Sequence, residues 1–531
     1  MKKNNSRNLP LILVILDGWG LAKANKGNAV LLAKTPTMDG LIKKYPNTEL
    51  RAHGKYVGLP RNQVGNSEAG HLNIGAGRLV EQDSTIINRS IKDGTFLKNS
   101  AFSGALRHIK KKKSKVHLIG MLSNGQSPHS DPLHLLALLD LLRKEKVSNV
   151  YLHLFTDGRD SPKFSSLKLI DDMERYLTKR EQVSTIMGRF YAMDRKKKWE
   201  RTEKAFNALV FGVGRKAKNS KVAITEAYNR GNSDEFIEPC VFGAGKEYKK
   251  TRIENGDSVI FFNLRSDRGR QLTKAFIQAD FNKMNPGSFK RKKKLDHLYF
   301  VAMTDFGPDL DDIITAFPSV DVRCSLPMQL AGLKQLYISE TEKYAHVTYF
   351  FNGGYSGKVA GEDHLVIPSP DVKSYDQTPI MKSKELAEII IKNLKKAKGK
   401  PKHKYDFTVL NFAAPDMIGH TGNLAAAIEC CQKVDKLLGK IVKAYLSVNG
   451  TIVVAADHGN IEKMINLSTG ELYTQHTTNH VPMIIVNKKL KNKLKLANSG
   501  ILGDIAPTIL KIVGVKKPRE MTGKSLILNR L

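Results

Sequence analysis

The sequence is poor in cysteine and tryptophan and has no long apolar run. Its 531 residues include 4 cysteines and 2 tryptophans, and aromatic residues make up 7% of the chain. So few cysteines, with no Cys-x-x-Cys pair, exclude a disulfide-stapled scaffold and predict reduced thiols in a cytoplasmic protein. No segment approaches the roughly 20 apolar residues that cross a bilayer, so we expect no membrane partner.

Acidic residues are scarce relative to basic ones. Lysine and arginine number 86 against 51 aspartates and glutamates, a formal net charge of +35. Such a charge fits an anionic substrate, binding to nucleic acid or membrane, or a lysine-rich surface. The basic runs at 110–113, 196–198 and 291–294 lie apart and lack the interleaved aromatic residues of nucleic-acid grooves. The lysine runs therefore indicate a solvated surface, and no nucleic-acid partner is expected.

Short apolar runs alternate along the chain with stretches of helical periodicity. The predicted strands are Leu11–Leu16, Val116–Ile119, Val150–Phe155, Ser258–Phe262, Phe407–Leu410 and Ile452–Ala456. The predicted helices are Leu133–Leu142, Ser166–Leu177, Lys384–Leu394, Leu424–Val442 and Asp504–Val513. This alternation predicts α/β layers with mainly parallel sheets. The length exceeds the roughly 250–300 residues that one core supports, so more than one domain is expected.

The ends of two predicted strands suggest how the domains are arranged. Asp17 directly follows the first strand, and Asp457 and His458 directly follow the strand that ends at Ala456. Ligands gather at the carboxyl ends of parallel strands, so these side chains meet if both strands belong to one sheet. That arrangement requires residues 1–82 to fold with 316–531, which leaves 83–315 as an inserted domain.

Several short motifs contain side chains that bind divalent metal ions. These side chains are Asp17, Asp416, His420, Asp457, His458 and His476. Asp416 and His420 are four residues apart, so one helical turn places them on the same face. Taken singly, each histidine is more often a cap or a packed side chain. Together, three carboxylates and three imidazoles exceed what one tetrahedral ion uses, which indicates two ions of the manganese, magnesium or zinc kind.

Two further residues allow a structural and a chemical interpretation. Ser67 lies in a small-residue segment before an apolar stretch, where Asn66 or Ser67 would cap a helix. The chemical alternative is a hydroxyl at a helix N-terminus, where backbone N–H groups stabilise negative charge. Lys343 is either an exposed loop lysine or a point charge for a phosphate or an oxyanion. The segment Val347–Phe351 after it has the composition of a strand.

Arginine and aspartate lie close together in three motifs of the proposed inserted domain. The motifs span residues 157–160, 188–195 and 263–268. Each could form a surface salt bridge. Arginine forks also bind phosphate and carboxylate oxygens in a bidentate manner. Three such turns in one domain favour a phosphorylated acid as ligand.

Taken together, these motifs resemble those of the 2,3-bisphosphoglycerate-independent phosphoglycerate mutases of the alkaline phosphatase superfamily. The likeness runs through Leu-Asp-Gly-Trp-Gly at 16–20, Gly-Asn-Ser-Glu-Ala-Gly-His at 65–71, Asp-Gly-Arg-Asp at 157–160, Gly-Arg-Phe-Tyr-Ala-Met-Asp-Arg at 188–195, Phe-Phe-Asn-Leu-Arg-Ser-Asp-Arg at 261–268, Glu-Lys-Tyr-Ala-His-Val-Thr at 342–348, Pro-Asp-Met-Ile-Gly-His-Thr-Gly at 415–422, Ala-Asp-His-Gly-Asn at 456–460 and His-Thr-Thr-Asn at 476–479. The resemblance implies a discontinuous alkaline-phosphatase-like domain interrupted by an inserted α/β transferase domain. The implied activity is that of an isomerase interconverting 3-phosphoglycerate and 2-phosphoglycerate in glycolysis and gluconeogenesis. The alternative is another metal-dependent phosphomutase or phosphomonoesterase of the same superfamily.

The same resemblance implies roles for individual residues. Ser67 would be the nucleophile that becomes phosphoserine, Asp160 the general acid and base, and Lys343 a charge that neutralises the phosphoryl group. Two divalent ions are implied, with Mn²⁺ expected and Mg²⁺ or another divalent ion as alternatives, and no 2,3-bisphosphoglycerate. One ion is assigned to Asp416, His420 and His476, and the other to Asp17, Ser67, Asp457 and His458. The substrate contacts are His129, Arg159, Asp160, Arg189, Arg195, Arg265, Arg268 and Lys343. A monomer acting on a small molecule in the cytoplasm is expected.

One block departs from the family pattern. Where the family has Ser-Asp-Gly-Gly-Val-His-Ser-His, this chain reads Ser-Asn-Gly-Gln-Ser-Pro-His-Ser-Asp at 123–131, with one residue more. His129 is the expected substrate histidine in this block, and His134 is the alternative.

Overall fold

The structure is a computed structural model that describes residues 8–243, 250–307, 309–310, 313–318, 322–397 and 400–529. The described residues divide into two units, one within Met1–Gln82 and Val320–Leu531 and the other within Asp83–Ser319. Each unit has its own eight-stranded sheet and its own hydrophobic core. Among these residues no helix combines the length and the apolar character that a membrane span requires.

The strands and helices follow each other along the chain as the alternating pattern predicts. The strands are β1 (Leu11–Leu16), β2 (Asn47–Arg51), β3 (Val116–Met121), β4 (Val150–Thr156), β5 (Glu181–Gly188), β6 (Arg215–Lys216), β7 (Cys240–Val241), β8 (Ser258–Phe261), β9 (Tyr299–Thr304), β10 (Ile314–Phe317), β11 (Gln335–Glu340), β12 (Asp363–Ile367), β13 (Leu394–Ala397), β14 (Lys400–His403), β15 (Phe407–Phe412), β16 (Thr451–Ala455), β17 (Val481–Val486) and β18 (Ser499–Ile501). The helices are α1 (Ala29–Leu32), α2 (Pro36–Lys44), α3 (Ser67–Ala76), α4 (Asp83–Asp93), α5 (Ser100–Lys112), α6 (Pro132–Lys144), α7 (Ser166–Glu174), α8 (Arg189–Ala192), α9 (Trp199–Val210), α10 (Ser220–Asn229), α11 (Ser266–Ile277), α12 (Phe281–Met284), α13 (Leu326–Gln329), α14 (Ser383–Lys392), α15 (Ala414–Gly419), α16 (Leu424–Ser447) and α17 (Ile505–Val513). The predicted α/β class is confirmed.

The first unit contains a sheet in the order β12-β11-β15-β1-β16-β17-β2-β18. Strands β11, β15, β1 and β16 are adjacent and parallel, and Leu16 of β1 pairs with Phe412 of β15. Every residue of β1 is buried, as expected for a strand covered on both faces, which explains its unbroken apolar sequence. The carboxyl ends of these four strands therefore lie along one edge of the sheet.

The second unit contains a sheet in the order β10-β9-β8-β3-β4-β5-β7-β6. Strands β8, β3, β4 and β5 are adjacent and parallel. The segments that leave them begin at Phe262, Leu122, Asp157 and Arg189. These four segments therefore start at the same edge of this sheet.

The prediction of a strand at Val347–Phe351 is wrong. The segment His346–Phe350 forms a π-helical turn. Its neighbour Phe351 packs closely on α3, where a Cβ atom at Gly75 would lie 1.9 Å from the Phe351 carbonyl oxygen. Aromatic and β-branched composition favours a strand, but this contact with α3 overrides the local preference.

A buried chain of hydrogen bonds crosses the second sheet. His117 Nε2 lies 3.1 Å from Asp257 Oδ2, His117 Nδ1 lies 2.9 Å from His153 Nε2, and His153 Nδ1 lies 3.0 Å from Thr185 Oγ1. One assignment of protons satisfies every atom, with both imidazoles neutral and the Thr185 hydroxyl donating to His153. Burial lowers the pKa of both histidines, which keeps them in this neutral form.

Lowering the pH from 7 to 5.5 is expected to reduce the free energy of unfolding. Below about pH 6.5 the unfolded chain binds more protons at His117 and His153 than the folded chain, because burial lowers the pKa of both, so each contributes up to about 1.4 kcal/mol per pH unit. Burial raises the pKa of Asp83 to about 6 and that of Glu340 to about 7. These carboxyl groups bind protons more tightly in the folded chain, so they offset part of the loss of stability at low pH. Denaturant unfolding at both pH values, with His153→Gln, measures the contribution of that histidine.

The His153→Gln variant should show a shallower dependence on pH than the unsubstituted chain. The matched control is His480→Gln, because the side chain of His480 is exposed. If His153→Gln and the unsubstituted chain lose stability equally between pH 7 and 5.5, this account of the buried chain is wrong.

Candidate metal centre and anion site

The carboxyl edge of the first sheet collects buried carboxylates. Asp17 directly follows β1, Asp457 follows β16 by two residues, and Asp416 lies in α15 after β15. Their exposed fractions are 0%, 0% and 2%. Carboxylates this deeply buried require positive charge or several donors close by. The arrangement therefore indicates a site for cations.

The imidazoles of His420 and His476 face each other beside Asp416. Their Nδ1 atoms each lie 2.8 Å from a backbone carbonyl oxygen, that of Thr474 and that of Gly65 respectively. Both Nδ1 atoms therefore carry hydrogen, which leaves the two Nε2 lone pairs only 3.1 Å apart. The same Nε2 atoms lie 3.4 and 3.2 Å from Asp416 Oδ1. Three lone-pair atoms at this spacing fit a divalent ion, and a carbonyl on the far nitrogen is usual for metal-binding histidines.

A second cluster surrounds Ser67. The hydroxyl of Ser67 lies 2.9 Å from His458 Nε2 and donates to Asp17 Oδ1 at 3.2 Å. Asp457 is adjacent, with Oδ2 3.7 Å from His458 Nε2, and its closer ring partner is His71 Nδ1 at 3.1 Å. The four residues predicted for a second ion thus lie together. His71 joins them, although its motif suggested no role for it.

Lys343 lies inside this cluster, so its interpretation as an exposed loop lysine is wrong. Its Nζ is 2.6 Å from Asp17 Oδ1, from Ser67 Oγ and from Asp416 Oδ2. Burial alone would lower the pKa of Lys343, but the carboxylates of Asp17, Asp416 and Asp457 outweigh burial and raise that pKa. The side chain is therefore a protonated ammonium that balances part of the carboxylate charge.

The carboxylate charge that Lys343 does not balance raises the pKa of His458. Burial alone would lower its pKa, but Asp457, Asp17 and Asp416 raise that pKa to about 9. His458 therefore holds a proton at neutral pH when no metal is bound. A divalent ion that binds this imidazole must displace the proton.

The N-terminus of α3 directs Ser67 toward the cluster. Asn66 caps the helix, because its side-chain oxygen accepts a hydrogen bond from the backbone N–H of Ala69 at 2.9 Å. The hydroxyl of Ser67 can therefore face Asp17 instead of capping. The chain of α3 also approaches Asp457 closely, since a Cβ atom at Gly70 would lie 2.8 Å from the Asp457 carbonyl oxygen. The positive end of the helix dipole thus faces the cluster.

At the edge of the second sheet, Arg189 contacts side chains that follow two neighbouring strands. Its Nη1 donates to Asp157 Oδ1 and to Asp160 Oδ2, both at 2.6 Å, and its Nη2 donates to His129 Nε2 at 2.8 Å. Asp157 and Asp160 follow β4, His129 follows β3, and Arg189 follows β5. Burial, Arg189 and Arg265 lower the pKa of His129 well below its usual value. The imidazole of His129 is therefore neutral at physiological pH.

Two other predicted substrate arginines share one carboxylate. Arg195 Nη1 donates to Asp267 Oδ2 at 2.6 Å, and Arg265 Nε donates to Asp267 Oδ1 at 3.2 Å. Sequence motifs alone assigned no role to Asp267 or to Asp157. Both lie within two residues of an arginine in their motifs. That proximity is the sequence signal from which a carboxylate orienting an arginine side chain could have been predicted.

Arg268 shows that the arginines of the second unit crowd together. Its Nη1 donates to the Met193 carbonyl oxygen at 3.2 Å. Burial and the neighbouring charges of Arg195, Arg189 and Arg159 lower the pKa of Arg268. Positive charge concentrated in this way fits an anionic ligand.

His129 and His134 occupy different surroundings. His134 Nε2 lies 3.0 Å from Asn88 Oδ1, and burial lowers the pKa of His134 to about 4. His129 is the histidine that contacts Arg189, and Nε2 of His129 accepts that hydrogen bond, so its Nδ1 carries hydrogen. Within the described part of the chain this Nδ1 has no hydrogen-bond partner. A buried donor of this kind is costly unless a ligand oxygen accepts from it.

The fold and the clustered carboxylates and imidazoles define a metalloenzyme. The family model of the Metalloenzyme superfamily matches residues 9–517, so the chain belongs to that superfamily. Among its relatives, a 2,3-bisphosphoglycerate-independent phosphoglycerate mutase of Clostridium kluyveri is 48% identical over 524 residues, covering 98% of this chain and 99% of the relative. The 2,3-bisphosphoglycerate-independent phosphoglycerate mutase 1 of Methanosarcina acetivorans is 44% identical over 524 residues, covering 98% of both.

A solved structure is similar as well. The Leishmania mexicana phosphoglycerate mutase at low cobalt concentration has a TM-score of 0.88 and 30% identity, with 99% of this chain and 98% of that chain covered. The chain belongs to the family of the 2,3-bisphosphoglycerate-independent phosphoglycerate mutases. The family predicted from the sequence motifs is therefore confirmed.

Replacing Lys343 by methionine is expected to destabilise the metal-free chain far more than the metal-loaded chain. Without the ammonium, Asp17 and Asp416 lose their countercharge, and removing one partner of a buried ion pair costs about 3–5 kcal/mol. Divalent ions held by the same carboxylates would restore most of that loss. Thermal unfolding of K343M with and without Mn²⁺ measures both effects.

The exposed residue Lys358 provides the matched control, K358M, which should change neither measurement. A metal-free K343M chain as stable as the unsubstituted chain would contradict the electrostatic role assigned to Lys343.

Proposed function

We propose that this chain interconverts 3-phosphoglycerate and 2-phosphoglycerate without 2,3-bisphosphoglycerate, through a phosphoserine at Ser67. The observation that carries the proposal is the environment of the Ser67 hydroxyl, which lies 2.6 Å from Lys343 Nζ and 2.9 Å from His458 Nε2. The similarity of the chain to phosphoglycerate mutases supports it. In this proposal the unit with β1 is the metal-binding phosphatase domain, and the unit with β3 is the substrate-binding transferase domain.

Two divalent ions are part of the proposal. The residues that would hold them are Asp416, His420 and His476 for one ion, and Asp17, Ser67, Asp457 and His458 for the other. When bound, such ions lower the pKa of a coordinated hydroxyl and neutralise phosphoryl oxygens. Mn²⁺ as the resident ion, a monomeric state and a cytoplasmic location stay predictions of the family resemblance.

Ser67 carries out the first transfer in this mechanism. Its hydroxyl gives its proton to Asp17 Oδ1, to which it donates at 3.2 Å, and its Oγ forms a bond to the phosphorus of 3-phosphoglycerate while the bond between phosphorus and the C3 oxygen breaks. The protonated Lys343, 2.6 Å from Ser67 Oγ, offsets the negative charge of the phosphoryl oxygens. The positive end of the α3 dipole acts in the same direction. The products of this step are phosphoserine and glycerate.

The second unit supplies the groups that would retain glycerate. Arg195, Arg265 and Arg268 offer guanidinium forks to its carboxylate, and His129 Nδ1–H offers a donor to a hydroxyl. Asp160, held by Arg189, would take up a proton as 3-phosphoglycerate binds, give it to the departing C3 oxygen, and then take one from the 2-hydroxyl. The 2-hydroxyl oxygen then bonds to the phosphorus, the bond to Ser67 Oγ breaks, Asp17 returns the proton to that Oγ, and 2-phosphoglycerate forms.

Ser67→Ala is expected to abolish mutase turnover while the chain still binds metal and substrate. No other group replaces the hydroxyl that accepts the phosphoryl group, so the rate should fall by several orders of magnitude. Mutase assays and mass spectrometry of acid-quenched enzyme, which detects phospho-Ser67, measure the two effects. Ser468→Ala, at an exposed position, should behave like the unsubstituted chain. Substantial residual mutase activity in S67A would remove Ser67 from this role.

Chelation of divalent ions is expected to stop conversion of 3-phosphoglycerate, and added Mn²⁺ or Mg²⁺ is expected to restore it. The reason is that the buried carboxylates and imidazoles act only with cations bound. The assay contains no 2,3-bisphosphoglycerate and also measures inorganic phosphate. A requirement for the bisphosphate, indifference to the chelator, or phosphate release in place of 2-phosphoglycerate would count against the proposal.

A further inference from the structure

Glu462 is a fully buried carboxylate with four hydrogen-bond donors around it. Its Oε2 accepts from the backbone N–H of Gly20 at 3.1 Å and of Asn460 at 2.8 Å. Its Oε1 accepts from Asn479 Nδ2 at 2.9 Å and from the Thr477 hydroxyl. The exposed fraction of Glu462 is 0%, so these donors stand in for water.

The donors belong to three separate segments of the metal centre. One segment carries Asp17, the second carries Asp457 and His458, and the third carries His476. Each donor lies within three residues of one of these proposed ligands. A single carboxylate therefore ties together segments that serve both proposed ion sites.

The number of donors determines the charge and the role of Glu462. Four donors on two oxygens use the acceptor capacity of an ionised carboxylate and leave no place for a proton. These four hydrogen bonds stabilise its negative charge. Because its oxygens are engaged in this way, Glu462 acts on a metal ion only through the segments it holds.

Two glycines allow the backbone to reach this carboxylate. A Cβ atom at Gly20 would lie 2.3 Å from Glu462 Cδ, and one at Gly459 would lie 2.5 Å from Glu462 Oε1. Real Cβ atoms do not approach other atoms so closely, so a larger residue at Gly20 would displace the carboxylate, and one at Gly459 would displace both the carboxylate and the Thr477 hydroxyl that donates to it. Contact with Glu462 thus helps to explain why these two positions of the ligand-bearing motifs are glycine.

We propose that Glu462 is a positioning residue that sets the geometry of the metal centre. The inference rests on the proposed function only in taking Asp17, Asp457, His458 and His476 as the metal ligands. Glu462→Gln keeps the shape of the side chain but replaces one oxygen by an NH₂ group. That group would face two donors instead of accepting from them, so the ligand-bearing segments would move apart.

The test is metal binding by the full chain, stripped of metal with a chelator and titrated with Co²⁺ in the absence of substrate. Visible absorption of bound Co²⁺ reports both affinity and coordination geometry. For E462Q we expect at least one ion to bind about 10–100-fold more weakly, as is typical for residues that orient metal ligands, with altered absorption bands. The control E471Q makes the same chemical change at an exposed position of the same region and should match the unsubstituted chain.

A folded E462Q chain that binds Co²⁺ with unchanged affinity and an unchanged spectrum would overturn the proposal. If E462Q does not fold, G20A and T477V test the same contact from the donor side, the first by displacing the carboxylate and the second by removing one donor. Folded G20A and T477V chains with unchanged Co²⁺ binding would also overturn it. Because the titration contains no substrate, its outcome is independent of whether the chain is a phosphoglycerate mutase.

Discussion

The burial of three carboxylates at one sheet edge is the constraint on which the first unit depends. Asp17, Asp416 and Asp457 are brought there by the parallel register of β15, β1 and β16, and burial makes their charges expensive without nearby cations. Lys343 supplies one positive charge, and a proton on His458 supplies another when metal is absent. In the proposed enzyme, divalent ions balance the remaining carboxylate charge. Metal binding, proton binding and stability at this sheet edge would therefore depend on one another.

The second unit has the opposite imbalance. Arg189 and Arg268 lie with other arginines at its sheet edge, and the carboxylates of Asp157, Asp160 and Asp267 offset only part of the positive charge. A neutral His129 adds a donor without adding charge. One unit thus attracts cations and the other attracts anions. This difference fits the proposed division between metal-dependent phosphoryl transfer and retention of an anionic glycerate.

The meeting of Asp17 and Asp457 at one sheet edge was predictable because strand ends are visible in the sequence. Unbroken apolar runs that stop at Asp17 and at Asp457 indicate parallel strands whose carboxyl ends carry function. The burial of Lys343 was not predictable, because it results from contacts with Asp17, Ser67 and Asp416, which are all distant in the sequence. The same holds for Glu462, whose donors come from three segments, and for the π-helical turn at His346–Phe350, where packing on α3 overrides a strand-like composition.

The central claim is that the edge of the first sheet holds two cations around the Ser67 hydroxyl. Anomalous X-ray scattering from crystals of the full chain grown with Mn²⁺ tests this directly. The account predicts two manganese peaks, one bonded to Asp416, His420 and His476 and the other within bonding distance of Ser67 Oγ. A single peak, or manganese bound away from Ser67 and these ligands, would contradict it.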